Sequence, residues 1–239
     1  MSRTSILALP LFVCFLAMTA GRCSASENLF DQVRGQTRSI SEERRDTLSK
    51  LAASISKSIE QHGKARVTFI CTHNSRRSQF SQAWLHAAVE HVGLGDKVQI
   101  FSGGTESTAC NPRTVSALKR AGFDFDVKSS EGENPTYSAI DPKFDTPLLM
   151  FSKVFDKAPN PTSNFIAVMC CGDADEKCPV VQGAADRIAL HYVDPKVSDG
   201  TAEESKTYDE RCRQIGSEMY FAALQIADRL DANSKSLAK

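Results

Sequence analysis

The chain predicts an α/β fold built on a mainly parallel sheet. Two observations carry that expectation. Short β-branched and aromatic runs alternate with helical stretches through most of the chain, the order that gives parallel strands joined by right-handed crossovers. One such run, Val67-Thr68-Phe69-Ile70, passes through a short polar loop straight into an amphipathic helix, as a strand–loop–helix unit does. With 239 residues, the chain can bury one core of ordinary size and little more.

The elements follow in order. Residues 26–45 are polar, charged and without period, and read as a linker. From Thr47 to His62, the apolar residues Leu48, Leu51, Ile55 and Ile59 recur at steps of three and four and mark one helical face, which Gly63 ends. Residues 67–70 form a buried strand. Phe80 to Val92 reads as a helix with Trp84, Leu85, Ala88 and Val92 on one side. Lys97 to Phe101 is a second strand, ending at Ser102-Gly103-Gly104. Asn111-Pro112 opens a helix, with Asn111 as cap, Pro112 in the first turn and Gly122 at the end. The stretch from Ser129 to Pro142, rich in Ser, Gly, Glu and Pro, reads as a loop. Leu148–Phe151, Phe165–Met169 and Arg187–Val193 are further strands, and a last helix runs from about Glu203 to Ala232. There is no internal repeat.

Apolar residues make up 41% and charged residues 24%, a globular composition. Lys plus Arg equals Asp plus Glu at 29 each. That balance points away from a nucleic-acid binder or a polybasic membrane adaptor, so any anion site must be local. The N-terminus is of another kind. Arg3, an apolar run from Ile6 to Ala20 and the small residues ending in Cys23-Ser24-Ala25 have the order of a secretory signal peptide. An uncleaved anchor is the alternative, although the run is short for a bilayer span. Cleavage after Ala25 leaves 27 basic and 29 acidic residues and an exported, periplasmic or secreted chain. The expected organisation is a leader at 1–25, a linker at 26–45 and one catalytic domain at 46–239 that includes an extra N-terminal helix.

The loop after the first strand carries the chemistry. The order is strand, Cys71, five residues, Arg77, Ser78, helix. A strand that ends in a tight loop feeding a helix points backbone N–H groups inward, and the helix dipole adds about half a positive charge there. A tetrahedral oxyanion fits such a nest, held by Thr72, His73, Asn74, Ser75, Arg76 and Ser78. The same field favours the thiolate of Cys71, the nucleophile. Arg77 can present its planar fork to two anion oxygens. Ser78 can donate to the Cys71 sulfur, and Asn74 can brace the loop in a left-handed conformation. Eight cysteines are present. Cys14 and Cys23 lie in the leader, leaving Cys71, Cys110, Cys170, Cys171, Cys178 and Cys212. An even count in an exported chain can mean structural disulfides, but three of the six sit in one short cluster and one in the anion loop, which fits redox chemistry better than stapling. His62, His73, His86, His91 and His191 show no metal-ligand spacing, and no cofactor is called for.

CTHNSRRSQ resembles the active-site loop of the low-molecular-weight protein tyrosine phosphatase superfamily, which includes the thioredoxin-coupled arsenate reductases. The resemblance covers about Val67 to Leu230. It implies a three-layer fold with a four-stranded, mainly parallel central sheet and helices on both faces. Arg76 departs from the pattern, since an uncharged residue is usual there. The resemblance implies a general acid in an Asp-Pro dipeptide after the last strand. Asp194-Pro195 fits, since a leaving oxygen must gain a proton and Pro195 stiffens the loop. Asp141-Pro142 is the competing dipeptide. FIAVMCCGDADEKCP (Phe165 to Pro179) resembles the redox segment of the arsenate reductases, with Cys171 and Cys178 as the redox pair. That implies a relay from Cys71 to Cys171 to Cys178, discharged by a thioredoxin-like dithiol. A static Cys171–Cys178 disulfide is the alternative. DPKVSDG has no aromatic residue after the Asp-Pro to wall a phenyl ring, which favours a small inorganic oxyanion.

Three functions remain in view. They are arsenate reduction, hydrolysis of a phosphate ester through a cysteinyl-phosphate using Cys71, Arg77 and Asp194 alone, and oxyanion binding without turnover. An oxidising exported space cuts against the first unless a dedicated dithiol reductant serves it.

Overall fold

The computed structural model describes residues 24–129, 132–139 and 148–237. The proposed leader lies almost wholly outside them, and Asp141-Pro142 lies outside them altogether. Seven strands and six helices are present among these residues: α1 (Ser24–Arg34), α2 (Glu42–His62), β1 (Ala65–Cys71), α3 (Arg77–His91), β2 (Val98–Gly104), α4 (Pro112–Ala121), β3 (Phe125–Ser129), β4 (Thr136–Ala139), β5 (Leu148–Met150), β6 (Phe165–Met169), α5 (Gly172–Lys177), β7 (Ala184–Ala189) and α6 (Glu204–Leu237).

The central sheet is four-stranded and parallel, in the order β2-β1-β6-β7. The β1–α3–β2 and β6–α5–β7 crossovers run in opposite directions across it, so the right-handed rule places α3 and α5 on opposite faces. The two faces are unequal. Val67, Ile100, Val168 and Ile188 lie on a face that is buried. Arg66, Gln99 and Ala189 lie on the other, by the two-residue period of a strand, and are exposed. Arg187 belongs to that second face and its side chain reaches α5. The long α6 packs along α2, α3 and α4.

The caps are those the sequence predicts. Asn111 accepts from the Arg113 N–H at the start of α4, and Gly122 ends it at φ 111°. Gly63 ends α2 at φ 75°. Both glycines sit where a side chain would be strained.

Two expectations are corrected. Residues 26–45 are no linker: they form α1, a 3₁₀ turn (Gly35–Ser39) and the start of α2, and Leu29, Phe30 and Val33 are buried in the core. Their apolar residues are too few to show a period, yet each finds a packing partner, Phe30 against Trp84 and Tyr220. The stretch from Ser129 to Pro142 contains β4, which pairs antiparallel with β3 and β5. Pairing with partners distant in sequence outweighs a loop-like composition there. The strand expected at Leu148–Phe151 is present as β5 (Leu148–Met150), in a three-stranded sheet with β3 and β4.

The extra N-terminal helix is wired to the rest by a buried charge pair. The Arg44 guanidinium on α2 donates to Glu218 on α6 at 2.9 Å. The Tyr192 hydroxyl donates to the same carboxylate at 2.8 Å, as does Gln214 at 3.1 Å. Burial, aided by Glu218, pushes the Tyr192 phenol well above its usual range, so it stays a neutral donor. Removing one partner leaves an uncompensated buried charge. Arg44→Met is expected to lower unfolding stability by about 3–5 kcal/mol, read as a lower midpoint in urea. Glu218→Gln, which keeps hydrogen-bonding capacity, should lose less.

Candidate functional site

The loop from Cys71 to Arg76 is suspended by its carbonyls. The Cys71 and Thr72 carbonyls accept from the Thr105 and Glu106 N–H groups at 3.0 and 2.8 Å. That of His73 accepts from Ser152 Oγ at 2.8 Å, that of Asn74 from the Gln79 amide at 2.9 Å, and that of Ser75 from the Asn111 N–H at 3.0 Å. With the carbonyls turned out to the scaffold, the N–H groups of residues 72–76 are left for the inside of the loop. None of them donates to a protein acceptor among the described residues. That is the construction of an anion nest. Gly104 permits the close approach, because a Cβ there would meet the Thr72 carbonyl at 2.6 Å and the Asn74 nitrogen at 2.8 Å.

Asn74 is the keystone. It adopts φ 46°, accepts from the Lys153 N–H through Oδ1 at 3.0 Å and donates from Nδ2 to Ser78 Oγ at 2.8 Å. With its oxygen occupied as an acceptor, the Ser78 hydroxyl can turn its proton to the Cys71 sulfur, 3.0 Å away. The chain Asn74 → Ser78 → Cys71 can direct a hydroxyl proton at the sulfur.

Arg77 begins α3. Its NH2 pairs with Asp194 Oδ2 at 2.8 Å, its NH1 donates to the Tyr192 carbonyl at 3.3 Å, and its Nε is buried without a partner among the described residues. Asp194 caps the 3₁₀ turn Pro195–Ser198, accepting from the Lys196 N–H. It therefore stands at the mouth of the loop, on the Arg77 fork. Arg76, which has no counterpart in the resemblance, is also accounted for. Its Nε donates to the Tyr208 hydroxyl at 2.9 Å and lies 3.9 Å from Asp194, while its NH2 lies 3.6 Å from Asp199. Tyr208 in turn donates to Asp199 at 2.8 Å. Arg76 thus turns away from the nest and ties the loop that carries Asp194 and Asp199 to Tyr208 of α6. Sequence reasoning missed Tyr192, Asp199 and Tyr208, which carry no local motif and meet the loop through tertiary packing.

All six cysteines among the described residues are free thiols. Cys171, the residue before α5, places its sulfur 3.6 Å from Thr72 Oγ1, next in the chain to Cys71. Cys178 closes α5 at the other end. The fold thus brings Cys71, Arg77, Asp194 and Cys171 to one end of the sheet, and sets Cys178 apart. Seven residues of helical rise separate Cys171 from Cys178, about 10 Å, which exceeds the roughly 7 Å limit for two bridgeable Cα atoms. Cys170 points into the core: burial pushes its thiol well up, and Cys110 and Cys212 are pushed up to about 12 for the same reason. These three stay protonated and unreactive. His73 is half-exposed, 3.7 Å from Glu106. Trp84 is fully buried against Phe30 and Phe123, its indole donating to Cys212 at 3.3 Å, so it offers no wall for an aromatic substrate.

A cysteine in a nest of amides, an arginine fork and a carboxylate at the rim define an enzyme that attacks tetrahedral oxyanions. Comparison with known proteins agrees. Residues 66–142 match the model of the low molecular weight phosphotyrosine protein phosphatase family. The arsenate reductase of Bacillus licheniformis is 31% identical over 154 residues, 64% of this chain and 91% of its own length, and that of Bacillus subtilis strain 168 shows the same identity and coverage. A crystal structure of a low molecular weight phosphotyrosine phosphatase from Vibrio cholerae O395 superposes with a TM-score of 0.44 at 13% identity, covering 71% of this chain and 98% of that one. The chain belongs to the low molecular weight phosphotyrosine protein phosphatase family, within which its curated relatives are arsenate reductases, and it is an enzyme of the arsenate reductase or phosphatase type. Among the described residues no helix is long and apolar enough to cross a membrane.

Proposed function

We propose that this enzyme reduces arsenate to arsenite through a cysteine relay and hands its oxidised thiols to a thioredoxin-like dithiol. The observation that carries the proposal is the position of Cys171, buried against Thr72 at the edge of the loop, with Cys178 at the far end of a six-residue helix. Phosphatase chemistry has no use for either sulfur.

The steps balance. The Cys71 thiolate attacks arsenic, an As–O bond breaks, and the departing oxygen takes a proton from Asp194 and leaves as water. Arg77 and the amides of residues 72–76 hold the remaining oxygens; the incoming anion competes with Asp194 for the Arg77 fork. The Cys171 thiolate then attacks the Cys71 sulfur, the S–As electron pair passes to arsenic, and arsenite departs with two electrons gained. Cys178 attacks Cys171, freeing Cys71 and leaving a Cys171–Cys178 disulfide. The dithiol partner reduces that disulfide. The leader-like order of Arg3, the apolar run Ile6–Ala20 and the small residues to Ala25 supports export of the chain, and the partner in this reading is then an exported dithiol protein.

In the purified mature chain supplied with arsenate and a thioredoxin system, Cys171→Ser and Cys178→Ser are each expected to abolish multiple turnover. Cys178→Ser should still release about one arsenite per enzyme, trapped as the Cys71–Cys171 disulfide. Unimpaired turnover in either variant refutes the relay. Aryl phosphate hydrolysis that survives both changes and exceeds arsenate reduction would instead favour the phosphatase, whose steps need Cys71, Arg77 and Asp194 alone.

A further inference from the structure

The helix α5 has little to keep it folded. It spans six residues, Gly172–Lys177, and Cys171 caps it without a side-chain hydrogen bond. A helix this short does not persist alone in water. Ala174 is its one buried residue, set against β1 and β6, and polar support comes from β7 and the residues just beyond it. Arg187 donates from Nε to the Cys178 carbonyl at 3.2 Å and from NH2 to the Asp175 carbonyl at 2.8 Å, and so satisfies two carbonyls that the helix end leaves unpaired. The same NH2 pairs with Asp175 Oδ1, and His191 Nε2 meets Asp175 Oδ2 at 3.1 Å. Both oxygens of one carboxylate are therefore engaged, one by each residue.

We propose that Arg187 and His191, acting through Asp175, form a clasp that holds α5 helical and sets when Cys178 can reach Cys171; the proposal rests on reading those two thiols as the redox pair. Neither residue touches the anion loop, and both are positioning residues. Bringing Cys178 into bonding range requires α5 to unwind, since its ends stand about 10 Å apart as a helix. Unwinding moves the Cys178 carbonyl off Arg187 and Asp175 out of the clasp. The Arg187–Asp175 ion pair and the His191–Asp175 contact are partly exposed, at 27% and 23% for Arg187 and Asp175 and 44% for His191, so they are weak enough to open. With the clasp shut, the pair is kept from idle oxidation.

The test uses the full-length mature chain carrying Cys71→Ser, so that only the downstream pair can close. Reduced protein is treated with diamide, an azo oxidant that takes up two electrons and two protons as the two thiols become a disulfide. Formation of Cys171–Cys178 is followed by quenched alkylation and mass spectrometry. Arg187→Met is expected to speed closure about tenfold, and His191→Ala roughly threefold. His191→Gln, which keeps a donor facing Asp175, should restore most of the parental rate. His191 is half-exposed, so its variants remain decisive if Arg187→Met folds poorly. Closure at a rate indifferent to both residues, or raised as much by His191→Gln as by His191→Ala, overturns the clasp alone. Failure of the pair to close in the parent and every variant overturns the redox reading and the clasp with it.

Discussion

Cys71→Ser is expected to remove all turnover, a loss of about 10⁴-fold or more, with arsenate and with aryl phosphates alike. The scale follows from the chemistry. Every later step in either route begins on the Cys71 sulfur, and a serine oxygen in the same nest has far less anionic character at neutral pH. The Asn74 → Ser78 → Cys71 chain sets the hydroxyl 3.0 Å from the sulfur. Folding should be unaffected, because the substitution keeps a small polar atom beside Ser78. Initial rates on both substrates, with thermal midpoints measured in parallel, check this. Residual activity above about a thousandth of the parental rate in a folded variant would remove Cys71 from the nucleophile's place.

Asp194→Asn should cost about 10²–10⁴-fold in turnover, and the loss should depend on the leaving group. An oxygen that leaves as water or alkoxide needs a proton, whereas a nitrophenolate hardly does. The penalty should therefore be full on arsenate and on unactivated esters and much smaller on p-nitrophenyl phosphate. Asp194 also pairs with Arg77 at 2.8 Å and lies 3.9 Å from Arg76, so a purely structural role has to be told from acid chemistry. If Asp194 is the acid, inhibition by inorganic phosphate should be as tight in the variant or tighter, because the Arg77 fork loses a competitor. Weakened phosphate binding, with equal rate losses on activated and unactivated esters, would mean that Asp194 only braces the loop.

Much of this site was legible along the chain because its parts are local. Cys71 through Ser78 is one contiguous loop, and backbone geometry dictates that a strand feeding a helix through it must present amides to an anion. Asn74, the one loop residue with positive φ, has a residue type that tolerates that conformation. Pro112 and Gly122 mark the ends of α4 for equally local reasons. Asp194 and Cys171 follow strands, where a parallel sheet gathers its C-terminal ends whatever the sequence distance between them.

The remainder was decided by partners that no local pattern announces. Whether 26–45 is a tether or a helix turns on whether Leu29, Phe30 and Val33 find a surface to cover, and α6 and α3 supply it. Arg76, expected among the residues that hold the oxyanion, instead pairs with Tyr208 and Asp199, which come from more than a hundred residues away. Arg187 and His191 read as strand residues; their grip on Asp175 exists because β7 lies beside β6 and carries α5 between them. The chain by itself determined the chemistry of the nucleophilic loop, since that depends on neighbours a few bonds apart. Tertiary structure alone decided which charges that loop answers to and which residues meet α5, since Coulomb and hydrogen-bond contacts depend on separation in space and not on separation along the chain.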